Sequence, residues 1–169
     1  MLRRVGFALL FLCLAGLGVA PAQSAPVTVF VVRHAEKGPE VPDPSLSEAG
    51  QHRAAELARA LGDAKVTALY TTEFKRTQET LAPLAAATGV TPVRLLARDV
   101  DALIAHLQAL PPGSRAVVAT HSNLIHVVVE RLTGMKITEL TDLDYDRLVV
   151  VTVTGKGKGT AVVLRFGDK

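Results

Sequence analysis

The stretch that most restricts what this chain can become is Thr28-Val29-Phe30-Val31-Val32-Arg33-His34, followed by Ala35-Glu36-Lys37-Gly38. A short run of β-branched and aromatic residues without polar alternation predicts a strand buried on both faces, the kind found inside a parallel sheet. It stops at Arg33-His34, and Gly38-Pro39 marks the loop beyond. In an open parallel sheet, ligands bind in the crevice outside the carboxyl ends of the strands. An arginine and a histidine side by side at such an end suit an anion. The same pair also fits a strand that merely ends at the surface, so the rest of the chain has to decide.

Ahead of this strand, residues 1–25 read as a signal segment. Arg3 and Arg4 form a positive start, and Val5 to Ala20 is an apolar run without charge. Ala20-Pro21-Ala22 and Ala22-Gln23-Ser24 each place small residues at the spacing a signal peptidase reads. The run is shorter than the ~20 apolar residues of a spanning helix. The expectation is therefore export, to a periplasm or beyond, with no stable membrane insertion once the segment is cleaved.

The remainder, residues 26–169, has a size expected of one domain. It holds 17 of the 19 basic residues and all 16 acidic ones, a net charge of only +1. The pI near 9.2 of the full sequence therefore gives no argument for nucleic acid, and no basic stripe interleaved with aromatics appears. The single cysteine, Cys13, leaves with the signal. That excludes disulfides, a cysteine nucleophile and thiolate metal sites from the mature chain.

Helix and strand signals then alternate. Ser47 is a suitable N-cap for a helix whose Ala54, Ala55, Leu57, Ala58 and Leu61 share one face, with Gly62 as its stop. A strand is predicted over Val66–Tyr70, and a helix over Glu73–Ala87 interrupted near Pro83, with Gly89 behind it. Val90–Leu95 reads as an extended edge piece, Val100–Leu110 as a helix stopped by Pro111-Pro112-Gly113, and Ala116–Ala119 as a third buried strand. Asn123–Leu132 reads as a helix ending at Gly134. Arg147–Thr154 and Thr160–Phe166 flank a Gly-Lys turn and predict a terminal hairpin. This alternation defines an α/β protein, a three-layer α/β/α sandwich with a mostly parallel sheet.

Three of the strands end in polar clusters: Arg33-His34, then Thr71-Thr72 with Arg76 in the next helix, then Thr120-His121-Ser122-Asn123 running into a helix start. If the strands are parallel neighbours, these ends share one rim. Arginine forks match phosphate oxygens, and helix N-termini favour the same charge. The ligand implied is a phosphoryl group.

These blocks resemble the histidine phosphatase superfamily, related to cofactor-dependent phosphoglycerate mutase. Arg33-His34-Ala35 is similar to that family's hallmark after the first strand. Leu46-Ser47-Glu48-Ala49-Gly50 resembles its second block. Thr71-Thr72 with Arg76 and Thr80 resembles the third, with Glu79 where the family has Gln. Thr120-His121-Ser122-Asn123 resembles the fourth, with Thr120 in place of Gly. The resemblance implies a phosphoglycerate mutase-like fold and catalysis without cofactor or metal. It also implies His34 as nucleophile, forming a phosphohistidine, with Arg33, Arg76, His121 and Ser122 around the phosphate. Attack needs a neutral His34, so its other ring nitrogen is expected to donate to a backbone carbonyl.

The proton donor to the leaving group is harder to place. Glu36 is the tentative choice, with Asp99, Asp101 and Asp146 as further carboxylates; for Asp99 and Asp101 a helix cap or surface role is the better expectation. The resulting expectation is a metal-independent phosphatase acting on a phosphorylated small molecule, glycan or phosphoprotein. The alternatives are a catalytically silent phosphate- or phosphoglycan-binding module of the same fold and a phosphomutase. His52 and His106 read as surface residues. His126 stands five residues past His121, a spacing that argues against a zinc site.

Overall fold

The computed structural model describes residues 24–167. The predicted apolar run Val5–Ala20 and Cys13 lie outside the described residues. Ser24 and Ala25, the last two positions of the expected signal segment, are described, and the Ala25 carbonyl accepts a bond from Gly113 N–H at 3.1 Å.

The chain runs β1 (Val27–Arg33), α1 (Glu48–Leu61), β2 (Ala68–Thr72), α2 (Lys75–Thr88), β3 (Val93–Leu95), α3 (Val100–Gln108), β4 (Arg115–Thr120), α4 (Ser122–Thr133), β5 (Arg147–Gly155) and β6 (Lys158–Arg165). The sheet order is β3-β2-β4-β1-β5-β6. β3, β2, β4 and β1 are mutually parallel, and β5 and β6 add an antiparallel hairpin at one side.

Alternation along β1 splits the core into the two outer layers. Val29 and Val31 face one side, with Leu103, Ile104 and Leu107 of α3 and Ile125, Val128, Val129 and Leu132 of α4. Phe30 and Val32 face the other, with Leu57 and Leu61 of α1 and Leu81 and Leu84 of α2. The path of the chain accounts for this division. From β1 it moves through α1 and α2 toward β3, then returns through α3 to β4 and leaves through α4 toward β5. Right-handed crossovers running in opposite directions place their helices on opposite faces. The connections from neighbouring β1 and β4 therefore diverge, which opens the crevice at their carboxyl ends where such sheets bind ligands.

Register makes the shared rim concrete. Arg33 pairs with Thr120, and His34 N–H donates to the Thr120 carbonyl at 2.8 Å. Tyr70 pairs with Val118, so the same register carries Thr72 level with Thr120.

Several boundaries differ from the sequence reading. α2 runs through Pro83 without interruption. An interior proline costs about 3 kcal/mol, whereas burying one leucine side chain contributes about 1.5–3 kcal/mol; Leu81 and Leu84, fully buried on either side of Pro83, offset it. α1 ends at Leu61 with Gly62 as its C-cap, as expected, but Gly62 keeps right-handed angles (φ −54°), the chain continues into a 3₁₀ turn over Gly62–Ala64, and Lys65 takes the left-handed position at φ 52°. β2 lies two residues later than predicted, because Leu69, not Val66, is the residue packed at the sheet's centre.

Candidate active site

The loop after β1 is held by three other segments before any ligand is considered. Ala35 N–H donates to Thr80 Oγ1 at 2.9 Å, and that hydroxyl donates to the Arg76 carbonyl at 2.6 Å. Glu79 accepts from Leu46 N–H at 2.7 Å, an acceptor role that a glutamine carbonyl would also fill. Ser47 caps α1, its Oγ accepting from Gly50 N–H at 3.2 Å, and Ser47 N–H donates to the Glu36 carbonyl at 2.9 Å. Gly50 is glycine for a close approach: a Cβ there would lie 2.1 Å from the Glu36 carbonyl oxygen. The second sequence block thus supports the residues beside His34.

His34 itself is 5% exposed. Its Nδ1 lies 2.8 Å from the Ala35 carbonyl oxygen. A carbonyl can only accept, so Nδ1 carries the proton and Nε2 keeps its lone pair. Burial pushes the imidazole down from 6.5 to about 4; the bond to Ala35 opposes this, and the nearby Arg33, His121 and Arg76 reinforce it. The ring is therefore neutral at pH 7.

His121 stands against it, with ring centroids 5.4 Å apart and planes at 65°. Thr72 Oγ1 lies 3.2 Å from His121 Nε2, and the Phe74 ring packs edge-on against the imidazole. Burial pushes His121 down to about 4 as well, joined by Arg76 and Arg33 and opposed by Glu73. Two neutral imidazoles side by side leave the positive charge of the site to the arginines.

Both arginines are anchored by neighbours, and each keeps one guanidinium nitrogen without a partner. Arg33 donates from Nη1 to the Thr141 carbonyl at 3.1 Å and from Nη2 to Tyr145 OH at 3.3 Å and Asp142 Oδ1 at 3.4 Å. Its guanidinium carbon sits 4.0 Å from the centre of the Tyr145 ring. Arg76 stacks on Phe74 at 4.3 Å and faces Asp43 at 3.6 Å. The Nε of each is buried without a hydrogen-bond partner. An unsatisfied buried donor costs about 1–3 kcal/mol, more when charged. Two of them bordering one cleft fit an anion with several oxygens.

Arg33, His34, Arg76, His121 and Ser122 line this single cleft of about 450 Å³, together with Lys37, Phe74, Arg98, Asn123 and Asp142. The first turn of α4, which begins at Ser122, opens into it. Among the described residues no group of three or more His, Cys, Asp or Glu stands together as a metal site would require.

Glu36 is not brought to the cleft. Its carboxylate is gripped by Arg53 at 2.7–2.9 Å and lies in a separate hollow with Tyr145, Asp146 and Arg165. The tentative choice of Glu36 as proton donor thus meets a carboxylate already paired elsewhere. Asp99 caps α3 through Ala102 N–H, Asp101 pairs with Arg131, and Asp146 with Arg147 and Arg165. Asp142 and Tyr145 were not singled out from the sequence. Asp142 reaches the cleft and Tyr145 reaches Arg33 from the loop between α4 and β5, which carries no periodicity and no motif.

A buried arginine-histidine crevice at the switch point of an α/β/α sheet suits an oxyanion. Residues 29–98 match the family model described as the histidine phosphatase superfamily (branch 1). No curated protein matches the sequence. Among solved structures, the protein histidine phosphatase SixA complexed with tungstate superposes with a TM-score of 0.68 at 21% identity, covering 82% of this chain and 96% of that one. A mycobacterial glucosyl-3-phosphoglycerate phosphatase gives 0.61 at 14% identity, covering 83% and 99%. Phosphoglycerate mutase from Plasmodium falciparum gives 0.58 at 15% identity, covering 85% and 91%. The chain has the phosphoglycerate mutase-like fold, and over residues 29–98 it is similar to the histidine phosphatase superfamily.

Proposed function

We propose that the protein is a phosphatase that moves a phosphoryl group from a phosphomonoester, or from phosphohistidine, onto His34 Nε2 and then to water. The observation that carries this reading is the fixed tautomer of His34: Nδ1 is committed to the Ala35 carbonyl at 2.8 Å, so the lone pair is on the other nitrogen. Covalent transfer splits one difficult displacement into two easier ones. As Nε2 bonds to phosphorus, the leaving group departs with the electron pair of the breaking bond. Water then attacks the phosphohistidine, inorganic phosphate leaves, and the neutral imidazole returns.

Arg33 and Arg76, which line the cleft, hold the equatorial oxygens through their guanidinium groups, and His121 and the first turn of α4 complete the cradle. These cationic and dipolar groups carry the charge stabilisation in this reading, so no metal ion is assigned a role. The likeness to a structure complexed with tungstate, a tetrahedral oxyanion, is consistent with such a cradle. In the same reading, residues 1–25 direct export, and residues 26–169 act as a single domain on an extracytoplasmic phosphorylated substrate.

The test is turnover of p-nitrophenyl phosphate by protein lacking the signal segment, with and without a chelator. Chelator-insensitive turnover that disappears in His34→Ala is expected. Tight phosphate binding without turnover would leave the silent binding module as the function.

A further inference from the structure

The cleft has a carboxylate that the sequence motifs do not contain, and it comes from the loop between α4 and β5. A turn over Thr141–Asp144 is closed by Asp144 N–H to the Thr141 carbonyl at 3.2 Å and by Asp144 Oδ2, which accepts from both Thr141 N–H and Thr141 Oγ1. The turn is docked on the site, because the Thr141 carbonyl also accepts from Arg33. Asp142 occupies the second position of this turn and projects over the cleft, 3.4 Å from Arg33.

The other carboxylates around the site are engaged elsewhere. Glu36 is clamped by Arg53, and Asp43 takes the Lys75 N–H on both oxygens as it faces Arg76. Glu73 accepts from Ala97 N–H at 2.7 Å. Asp142 is the carboxylate lining the cleft among the described residues. One long contact to Arg33 holds it, and its side chain is 92% exposed. It is free to turn toward an oxygen leaving from phosphorus.

We infer that Asp142 is the acid and base of the reaction, a role that rests on the phosphatase reading above. In its carboxyl form it gives its proton to the ester oxygen as the bond from phosphorus to that oxygen breaks and the bond to His34 Nε2 forms. The carboxylate then takes a proton from the attacking water while the nitrogen–phosphorus bond breaks and its electron pair returns to Nε2. Inorganic phosphate departs, and the carboxyl group is restored.

General acids contribute about 10²–10⁴-fold when the leaving group is a poor one, and very little when it leaves readily as an anion. The experiment compares kcat/KM for p-nitrophenyl phosphate and for a simple alkyl phosphate in native protein, Asp142→Asn and Asp142→Glu. kcat/KM reports the steps through formation of the phosphohistidine, so it isolates leaving-group protonation from the later water attack. In Asp142→Asn the aryl-to-alkyl ratio should rise about 10²-fold or more, and Asp142→Glu should restore part of the alkyl activity. An equal change on both substrates would make Asp142 only a neighbour that competes for Arg33, and overturn the role. So would no change on either, or a native protein that hydrolyses the aryl ester but never the alkyl one. A native protein inactive on both would count against the phosphatase reading itself and remove the Asp142 role with it.

Discussion

His34 donates from Nδ1 to the carbonyl of the next residue, Ala35, at 2.8 Å. The strand that delivers His34 also delivers the group that sets its tautomer, so the imidazole needs no separate orienting carboxylate. A base held neutral by burial has a cost that appears as pH falls.

His34 and His121 are both pushed to about 4 in the folded protein, by burial first of all, against about 6.5 in an unfolded chain. Between these values the unfolded chain binds protons that the folded one does not, so stability rises with pH across the window. Denaturant titrations should show stability unchanged by these groups above about pH 6.5 and falling toward pH 4. The loss is on the order of 3 kcal/mol for a group shifted this far. His34→Gln should flatten part of the slope.

Gly50→Ala should injure the site from a distance. The added methyl would meet the Glu36 backbone carbonyl at 2.1 Å, and backbone cannot swing aside as a side chain can. Overpacking of this kind costs about 1–3 kcal/mol. A lowered melting temperature together with reduced turnover is expected; a variant indistinguishable from native would show that the two loops are not coupled.

Arg76→Lys keeps a charge but removes the planar fork and the unpartnered Nε. Loss of one preorganised donor lowers turnover about 10²–10³-fold, and lysine cannot reproduce the geometry. Steady-state kinetics within a few-fold of native would place Arg76 outside the transition-state cradle.

Export can be read by mass. Protein recovered from the cell envelope should begin between Gln23 and Val27 and show no reaction with a thiol reagent. A full-length species in the membrane fraction would mean that Val5–Ala20 stays as an anchor.

Much of this arrangement is legible in the residues because it rests on local signals. The buried run Val29–Val32, the cap at Ser47 and the polar residues closing β1, β2 and β4 each report their own segment. Parallel pairing then brings Arg33, His34, Arg76, His121 and Ser122 to one place. What stays hidden depends on contacts distant in sequence. Glu36 looks free beside His34 until Arg53, 17 positions on, closes on it. Asp142 and Tyr145 reach Arg33 across more than 100 positions, from a loop without periodicity. Pro83 misleads for a related reason: the local penalty is real, but the burial that offsets it belongs to the tertiary structure.

The central claim is a covalent phosphohistidine on one nitrogen of one residue. Brief exposure of the native protein to a ³²P-labelled phosphoryl donor, followed by rapid quench, tests it most directly. Label stable in base, lost in acid, carried by the peptide containing His34 and missing from His34→Ala is the predicted result. Label that persists in His34→Ala, or an active native protein that never takes up label during turnover, would contradict it.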